Sequence, residues 1–237
     1  MKIGGFIRQS FIDYPGKISC VVFTSSCNFK CHYCHNPELV ELSKNKSLGV
    51  YLPGEILKYI KIYRHLLEGV VITGGEPTLQ EDLIDFIEVL KKNRLLVKID
   101  TNGTNPLVLK KAISLKLIDY VAMDVKSLFD IESYSKVTGT GISHELLLKI
   151  KESVDIIKQS GIDYEFRMTI VKEKTTKNEL LEMVKQVSPA KRICFQSFIP
   201  SEKLLNPSYK NYSSYQAKEL DSIALQARKY ADQIVVR

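Results

Sequence analysis

The sequence of 237 residues lacks several features that would mark particular classes of protein. No stretch approaches the roughly 18 consecutive apolar residues that a membrane-spanning helix needs, and the first residues lack the apolar core of a secretory signal. We therefore expect a cytoplasmic protein with no membrane partner. Linkers and low-complexity segments are also missing, so we expect a single domain over residues 1–237.

Long blocks of like charge are missing as well. Lys and Arg number 34 and Asp and Glu number 27, which gives a net charge of +7, but the charges are spread along the chain. No run of Lys and Arg reaches the length of a nucleic-acid-binding tract. We interpret the excess as a lysine-rich solvated surface and predict no nucleic-acid partner.

Cysteine is scarce, and its placement is informative. The five cysteines are Cys20, Cys27, Cys31, Cys34 and Cys194. An odd number without a secretory signal argues against a disulfide framework. Three of them fall within eight residues, with three and then two residues between them. One short loop that carries three thiols predicts a metal centre.

Two metal centres compete for this loop. Structural zinc takes four protein ligands, and His32 or His35 could supply the fourth. An iron–sulfur cube with three cysteine ligands would leave one iron open to a substrate. The loop follows a predicted strand, where a barrel of βα units places its active site, so we favour the iron–sulfur cluster. A zinc-binding module without catalysis remains an alternative. We expect Cys20 and Cys194 to be small buried hydrophobes.

Apolar, β-branched runs alternate with amphipathic helical patterns along the chain. This alternation predicts an α/β fold with a parallel sheet of βα units. Only six βα units can be recognised in the sequence, whereas a closed barrel has eight. This number predicts an incomplete barrel with an open side. Residues 2–11 and 234–236 are candidate extra strands. The six predicted strands are Ser19–Thr24, Val70–Thr73, Leu96–Asp100, Tyr120–Lys126, Tyr164–Val171 and Arg192–Ile199.

Helix boundaries are marked by capping signals. Thr176 with Glu179 forms a capping-box pattern, and Gly161 is a stop signal. Pro53 suits the first residue of a helix. We therefore predict helices over residues 55–67, 80–93 and 143–160, a helix starting at Thr176, and a last helix capped by Ser213 that ends near Ala231.

Polar residues follow several of the predicted strands. The carboxyl ends of the strands carry the active site in barrels of βα units. Because side chains alternate along a strand, Asp124 and Lys126 share one face, and so do Glu165 and Arg167. We expect these polar faces to point into the barrel mouth. Ordinary ion pairs, Asp124 with Lys126 and Arg167 with Glu165, remain an alternative.

Two motifs carry a resemblance to a known superfamily. The spacing Cys-x3-Cys-x2-Cys, with Tyr33 before the last cysteine, is similar to the signature of radical S-adenosylmethionine (SAM) enzymes, and Gly74-Gly75-Glu76-Pro77 resembles their second motif. Longer stretches resemble the activating proteins of glycyl radical enzymes, closest to the compact activating proteins of anaerobic ribonucleoside-triphosphate reductase. These stretches are IDYPGK at 12–17, CNFKCHYCHNPELV at 27–40, TGGEPTLQ at 73–80, DTNGTNP at 100–106, DYVAMDVK at 119–126 and YEFRMTIV at 164–171.

The resemblance implies a fold and a chemistry. The fold is an incomplete (β/α)6 barrel of the radical SAM type with a short N-terminal strand extension. Cys27, Cys31 and Cys34 would ligate a [4Fe–4S] cluster, and SAM would chelate the fourth iron. One electron would split SAM into methionine and a 5′-deoxyadenosyl radical, which would remove hydrogen from a glycine of a partner enzyme. No catalytic side chain is implied beyond the cluster and SAM.

The resemblance also implies which residues hold SAM. Gly74 and Gly75 would let the backbone approach the methionyl group, and Glu76 would accept from its ammonium. Tyr33 would lie near the adenine, and Asn36 would contact SAM. The residues implied for the ribose and carboxylate region, with a cation between some of them, are Asp100, Asp124, Lys126 and Arg167.

The implied partner is a glycyl radical enzyme, with anaerobic ribonucleoside-triphosphate reductase favoured over a pyruvate formate-lyase-like enzyme. A flavodoxin or ferredoxin would donate the electron. A small-molecule radical SAM enzyme of similar size is the alternative. The chain departs from the family at Ser26, where a glycine is usual before the first cluster cysteine. If that position needs a positive φ, serine costs on the order of 1 kcal/mol.

Overall fold

A computed structural model describes residues 1–40 and 51–237. These residues form eight strands and eight helices, and single 3₁₀ turns join some of them. The strands are β1 (Ile3–Tyr14), β2 (Lys17–Thr24), β3 (Gly69–Gly74), β4 (Leu96–Thr101), β5 (Tyr120–Asp124), β6 (Asp163–Ile170), β7 (Ala190–Ser197) and β8 (Ala231–Val236). The helices are α1 (Pro37–Val40), α2 (Pro53–Ile62), α3 (Leu83–Lys92), α4 (Pro106–Ser114), α5 (Ile131–Thr138), α6 (His144–Gln159), α7 (Lys177–Val187) and α8 (Ala217–Ala227).

The chain divides into two compact units. The first contains Met1–Asn28, Glu38–Thr101 and Asn105–Val121, and the second contains Phe29–Pro37, Asn102–Thr104 and Ala122–Arg237. Strand β5 begins in the first unit and ends in the second. The expectation of one domain over residues 1–237 stays a prediction.

In the first unit, β1 pairs antiparallel with β2, and β2, β3 and β4 are parallel neighbours. The register places Cys20 opposite Val70 and Val70 opposite Val97. The start of β5 follows a backbone bond in which Asp119 donates to Val97 at 2.8 Å. The interior of this unit is built from buried β-branched residues of β2, β3 and β4, as the apolar runs in the sequence require.

In the second unit, β6, β7 and β8 are parallel neighbours. Arg167 lies opposite Cys194, and Cys194 lies opposite Val235. Just beyond β5, the backbone N–H of Val125 donates to Arg167 at 2.9 Å. The prediction of parallel strands alternating with helices is therefore confirmed, and so are both extra strands, β1 and β8.

The helix boundaries confirm most of the capping signals. Thr176 and Glu179 exchange hydrogen bonds at the start of α7, and Gly161, with a φ of +75°, follows α6. The predicted cap at Ser213 is wrong. Helix α8 begins after Gln216, whose N–H donates to Glu219 at 2.7 Å, whereas Ser213 donates to Glu173.

Four other predicted boundaries need correction. Helix α2 ends at Ile62 and α3 begins only at Leu83, because a 3₁₀ turn over Pro77–Leu79 comes first. Strand β5 ends at Asp124 rather than Lys126. Helix α8 ends at Ala227, four residues before the predicted end. Among the described helices, none is both long and apolar enough to cross a bilayer.

Candidate active site

The turn after β3 packs against Ser26, which precedes Cys27, the first cysteine of the three-cysteine loop. Gly74 has a φ of +109°, which glycine adopts readily. A Cβ on Gly75 would lie 2.1 Å from the carbonyl oxygen of Ser26. The Gly75 N–H donates to Thr24 at 2.8 Å. The two glycines therefore let two backbone segments approach at a distance that no side chain would allow.

Ser26 has a positive φ, the conformation for which glycine would be the usual residue at this position. Its φ is 79°, in the left-handed region, where a serine costs about 1 kcal/mol. Its N–H donates to Leu39 at 2.7 Å, and its carbonyl accepts from Glu76 N–H at 2.9 Å. These bonds hold the backbone in the strained conformation immediately before Cys27.

Glu76 is a buried carboxylate with a fixed orientation. Its Oε1 accepts from the backbone N–H of Thr78 at 3.1 Å, from the Thr78 hydroxyl at 2.6 Å and from the Thr101 hydroxyl at 2.7 Å. Three donors on one oxygen fix the plane of the group. A carboxylate held in this way suits the role that the resemblance implies for Glu76, as the acceptor for the ammonium of a ligand.

Asp100 lies at the carboxyl end of β4 in the same unit. It forms an ion pair with Lys98, two residues earlier on the same face of the strand. The Lys98 side chain is 3% exposed and that of Asp100 is 13% exposed. The sequence predicts a role for Asp100, but it gave no expectation for Lys98.

A charged trio occupies the second unit where β5 ends. Asp124 accepts from Arg167 Nε at 2.7 Å through one oxygen and from Lys126 Nζ at 2.9 Å through the other. Burial opposes ionisation of Asp124, but the two cations outweigh it and hold its pKa well below the ordinary value. Burial likewise opposes the charge of Lys126, and Asp124 outweighs it, so the pKa of Lys126 lies well above the ordinary value.

Tyr33 connects the cysteine loop to this trio within the second unit. The Lys126 ammonium lies 5.9 Å from the centre of the Tyr33 ring, a cation–π contact. The Tyr33 hydroxyl is buried and has no hydrogen-bond partner among the described residues. Buried hydroxyls in folded proteins are usually satisfied, so this one fits a site that receives a polar ligand.

The three loop cysteines fall on both sides of the unit boundary, with Cys27 in the first unit and Cys31 and Cys34 in the second. None of them forms a disulfide. Burial raises the pKa of Cys31 to about 11, with the Lys126 charge acting in the opposite direction. Within the described ranges, no three His, Cys, Asp or Glu side chains already stand as a metal-binding group. The assignment of the cysteines as ligands stays a prediction.

The donor set itself fits an iron–sulfur cluster. Thiolates are the ligands that such clusters take from proteins, and three of them on one short loop match a cluster with one open iron. The glycine turn brings the Gly75 backbone against Ser26, directly before Cys27. Tyr33, whose hydroxyl has no hydrogen-bond partner among the described residues, directly precedes Cys34 in the sequence.

A segment after β7 supports the cysteine loop inside the second unit. The N–H groups of Leu205 and Asn206 donate to the carbonyls of Cys34 and His32, at 3.3 and 3.0 Å. The Tyr209 hydroxyl lies 3.3 Å from His32 Nδ1. Sequence reasoning missed this segment, because no local pattern indicates which loop a distant segment will contact.

The remaining sequence candidates are placed as follows. Asn36 is half-buried, directly before α1. Cys20 and Cys194 are fully buried on β2 and β7, which confirms the expectation of small buried hydrophobes. Glu165 is fully buried and accepts two hydrogen bonds from Arg237, both at 3.1 Å. Arg167 donates through Nε to Asp124. The alternative in which Arg167 pairs with Glu165 stays a prediction.

The sequence model of the Radical SAM superfamily matches residues 21–187 of this chain. The chain belongs to this superfamily, whose members use a [4Fe–4S] cluster and SAM.

Within it, the chain falls among the activating enzymes of glycyl radical enzymes. It is 35% identical to a Methanocaldococcus jannaschii protein named "Putative glycyl-radical enzyme activating enzyme", over 99% of this chain and 95% of that one. It is 27% identical to the pyruvate formate-lyase-activating enzyme of Clostridium pasteurianum, over 96% and 94% of the two chains.

Solved structures show the same fold. Streptococcus suis SuiB, solved with SAM bound, superposes with a TM-score of 0.67 at 14% identity, over 92% of this chain and 49% of that one. QueE from Escherichia coli superposes with a TM-score of 0.55 at 15% identity, over 100% and 93%. The predicted fold class, an incomplete (β/α)6 barrel of the radical SAM type with an N-terminal strand extension, is confirmed.

Proposed function

We propose that the protein is a radical SAM activase that generates a glycyl radical on a partner enzyme. The observation that carries SAM binding is the buried Tyr33 hydroxyl, which has no hydrogen-bond partner among the described residues. Tyr33 directly precedes Cys34, and the Lys126 ammonium faces its ring. A polar contact and a cation beside the cysteine loop suit a ligand with polar and anionic groups. The end-to-end similarity to activating enzymes supports a protein substrate.

The cysteine loop would hold the cofactor. Cys27, Cys31 and Cys34 would ligate three irons of a [4Fe–4S] cluster, and their thiols would release protons on binding because thiolates are the ligands. When bound, the cluster and SAM supply one-electron cleavage of a sulfonium and, from it, a carbon radical that takes hydrogen from a glycine. Gly75, which has no side chain, would let its backbone pack against Ser26 directly before Cys27.

The polar residues at the strand ends would bind SAM. Glu76, fixed by two threonine hydroxyls, would accept from the ammonium of the methionyl group. Lys126 and Arg167 would face anionic and hydroxyl groups of SAM. Asp124, which accepts from both side chains, would hold them in place. Tyr33 would lie against the adenine, with Asn36 beside it. Asp100 would accept from the ribose.

For the partner, we favour anaerobic ribonucleoside-triphosphate reductase, on the resemblance of the six sequence stretches between residues 12 and 171 taken together. A pyruvate formate-lyase-like enzyme is the second candidate, supported by the activating enzymes at 27% to 30% identity. A low-potential flavodoxin or ferredoxin would supply the electron. The net charge of +7 would favour an acidic donor, with an effect that weakens as salt rises.

The test is anaerobic incubation of reconstituted protein with SAM, a low-potential reductant and each candidate partner in turn. We expect a doublet electron paramagnetic resonance signal on one partner. Its main splitting should collapse when the partner contains α-deuterated glycine, and the signal should vanish when the target glycine is replaced by alanine. Cys31→Ala should give no signal, whereas Cys194→Ala, on β7, should retain it.

Two results would contradict this function. One is the absence of a glycyl radical on every partner, with deoxyadenosine formation stimulated by a small metabolite instead. That result would establish the small-molecule alternative, for which the probable GTP 3′,8-cyclase of Thermococcus kodakarensis is a relative over 64% of this chain and 47% of its own. The other is stoichiometric zinc without iron after anaerobic preparation, which would establish the zinc-binding alternative.

A further inference from the structure

Lys98 is a buried lysine in the interior of the first unit. Its residue exposure is 2%, although lysines in proteins almost always lie at the surface unless they are paired. An ammonium removed from water needs both a counter-charge and fixed contacts to be tolerated. Lys98 therefore requires partners, and the fold supplies two of them.

The first partner is Asp100, which accepts a hydrogen bond from Lys98 Nζ. The second is the ring of Tyr120, whose centre lies 5.9 Å from the same nitrogen in a cation–π contact. Tyr120 is itself fixed by Tyr14, with ring centres 5.8 Å apart in an edge-on arrangement. The ammonium thus has a defined position between strand β4 and the start of β5.

Asp100 lies at the carboxyl end of β4, directly before Thr101, which donates to Glu76. Asp100 and Thr101 are consecutive residues at the end of β4. Asp100 offers a carboxylate acceptor there, and Thr101 fixes the carboxylate of Glu76. A carboxylate suits a ribose because it can accept from both hydroxyls of a vicinal diol. Its orientation must be set beforehand, or ordering it costs affinity.

We propose that Lys98 is a positioning residue for SAM recognition. It holds the Asp100 carboxylate oriented toward the ribose diol, and it does not touch SAM itself. This inference rests on the proposed function, because it takes SAM as the ligand. A purely structural role is the competing explanation, since a buried ion pair can often be replaced by a neutral pair without loss of stability.

The test compares two ligands that differ only in the diol: 5′-methylthioadenosine and its 2′,3′-dideoxy analogue. Calorimetry on anaerobically reconstituted protein measures the ratio of their affinities. We expect wild type to prefer the diol by about ten- to a hundredfold. Lys98→Met should abolish most of this preference, and Lys98→Arg should restore part of it because the positive charge returns. Lys91→Met, which removes an ion pair with Asp119, should leave the ratio unchanged.

A double variant restores the charge balance and tests the Asp100 carboxylate itself. Lys98→Met combined with Asp100→Asn removes both charges, so a fold destabilised by an unpaired Asp100 should recover its melting temperature. We expect the diol preference to remain lost in the double variant. A wild-type preference in Lys98→Met, or in the double variant if Lys98→Met does not fold, would overturn the inference.

The outcomes also separate this inference from the function on which it rests. A glycyl radical formed with an unchanged diol preference in Lys98→Met would overturn the inference alone. A Lys98-dependent diol preference without any glycyl radical would overturn the activase function alone. Failure of wild type to bind SAM and methylthioadenosine would overturn both.

Discussion

Arg167 on β6 donates from Nε to Asp124, at the end of β5, at a distance of 2.7 Å. Asp124 also accepts from Lys126, so one carboxylate balances two cations. All three side chains are at least three-quarters buried. The excess positive charge is therefore shielded from water and suits an anionic ligand group.

Replacing Lys126 should test this site directly. Lys126→Met keeps the apolar stem and removes one charged hydrogen-bond donor, a loss of roughly 1.5–3 kcal/mol in a buried site. We expect SAM affinity to fall about ten- to a hundredfold with cluster iron unchanged, measured by calorimetry and iron analysis. Lys172→Met, at the half-exposed pair with Glu219, is the matched control. Equal SAM affinity in both variants would make Lys126 a structural residue.

Iron binding should depend on the loop cysteines alone. After anaerobic reconstitution, replacing Cys27, Cys31 or Cys34 by alanine should abolish iron binding and SAM cleavage, because each would supply one thiolate. Cys20→Ala and Cys194→Ala should retain both properties. Iron content and deoxyadenosine yield are the measurements. Retention of the cluster in any of the three loop variants would disprove the ligand assignment.

The glycine turn offers a test of backbone packing. Gly75→Ala would place a Cβ 2.1 Å from the Ser26 carbonyl, so the backbone must move. We expect a destabilisation of roughly 1–3 kcal/mol in urea unfolding, together with weaker SAM binding. Gly54→Ala, near the start of α2, meets no atom within 4 Å and should be neutral or stabilising. A Gly75→Ala variant as stable as Gly54→Ala would contradict this packing.

The strained serine predicts a stabilising substitution. Ser26→Gly removes the left-handed penalty at a φ of 79°, so we expect a gain of about 0.5–1 kcal/mol. Urea unfolding measures it, and the hydrogen bonds of the Ser26 backbone should persist. Ser160→Gly, at a φ of −68°, is the control and should give no gain. A loss of stability in Ser26→Gly would show that the serine side chain makes a stabilising contact.

The support of the cysteine loop predicts a change in cluster lifetime. Tyr209→Phe removes the hydroxyl next to His32, at a cost of about 1 kcal/mol. We expect the reconstituted cluster to be lost several times faster to a chelator, followed by its visible absorbance. Tyr63→Phe, in the first unit and 40% exposed, should behave as wild type. Equal rates in the two variants would show that the loop does not depend on this contact.

The six central strands could be predicted from sequence because buried parallel strands leave continuous apolar runs. Their observed ends lie within two residues of the predicted ends. Alternation also placed Asp124 and Lys126 on the polar side. Helices α4 and α5 were missed because they are short, although Asn105-Pro106 and the Asp130 cap, which accepts from Ser133 at 2.8 Å, were available as signals.

Partner choice between strands was beyond the sequence. From the sequence, Arg167 could pair with Glu165 on its own strand or with Asp124 on the neighbouring strand. The alternation of side chains along a strand does not decide between these two partners. The pairing of Lys98 with Asp100 is local, but burial of Lys98 depends on Tyr120 from another strand. The same holds for Tyr209 and His32, which are 177 residues apart.

That separation has a consequence for biosynthesis. The loop that carries the cysteines is made early, whereas Leu205, Asn206 and Tyr209 leave the ribosome only when most of the chain has been translated. Contacts between such distant segments form late, since the intervening chain must first be closed into a loop. During synthesis the segment that contains His32 and Cys34 therefore remains without the contacts of Leu205, Asn206 and Tyr209. Cluster insertion should follow translation, and cells should deliver iron and sulfide to the finished chain rather than to the nascent one.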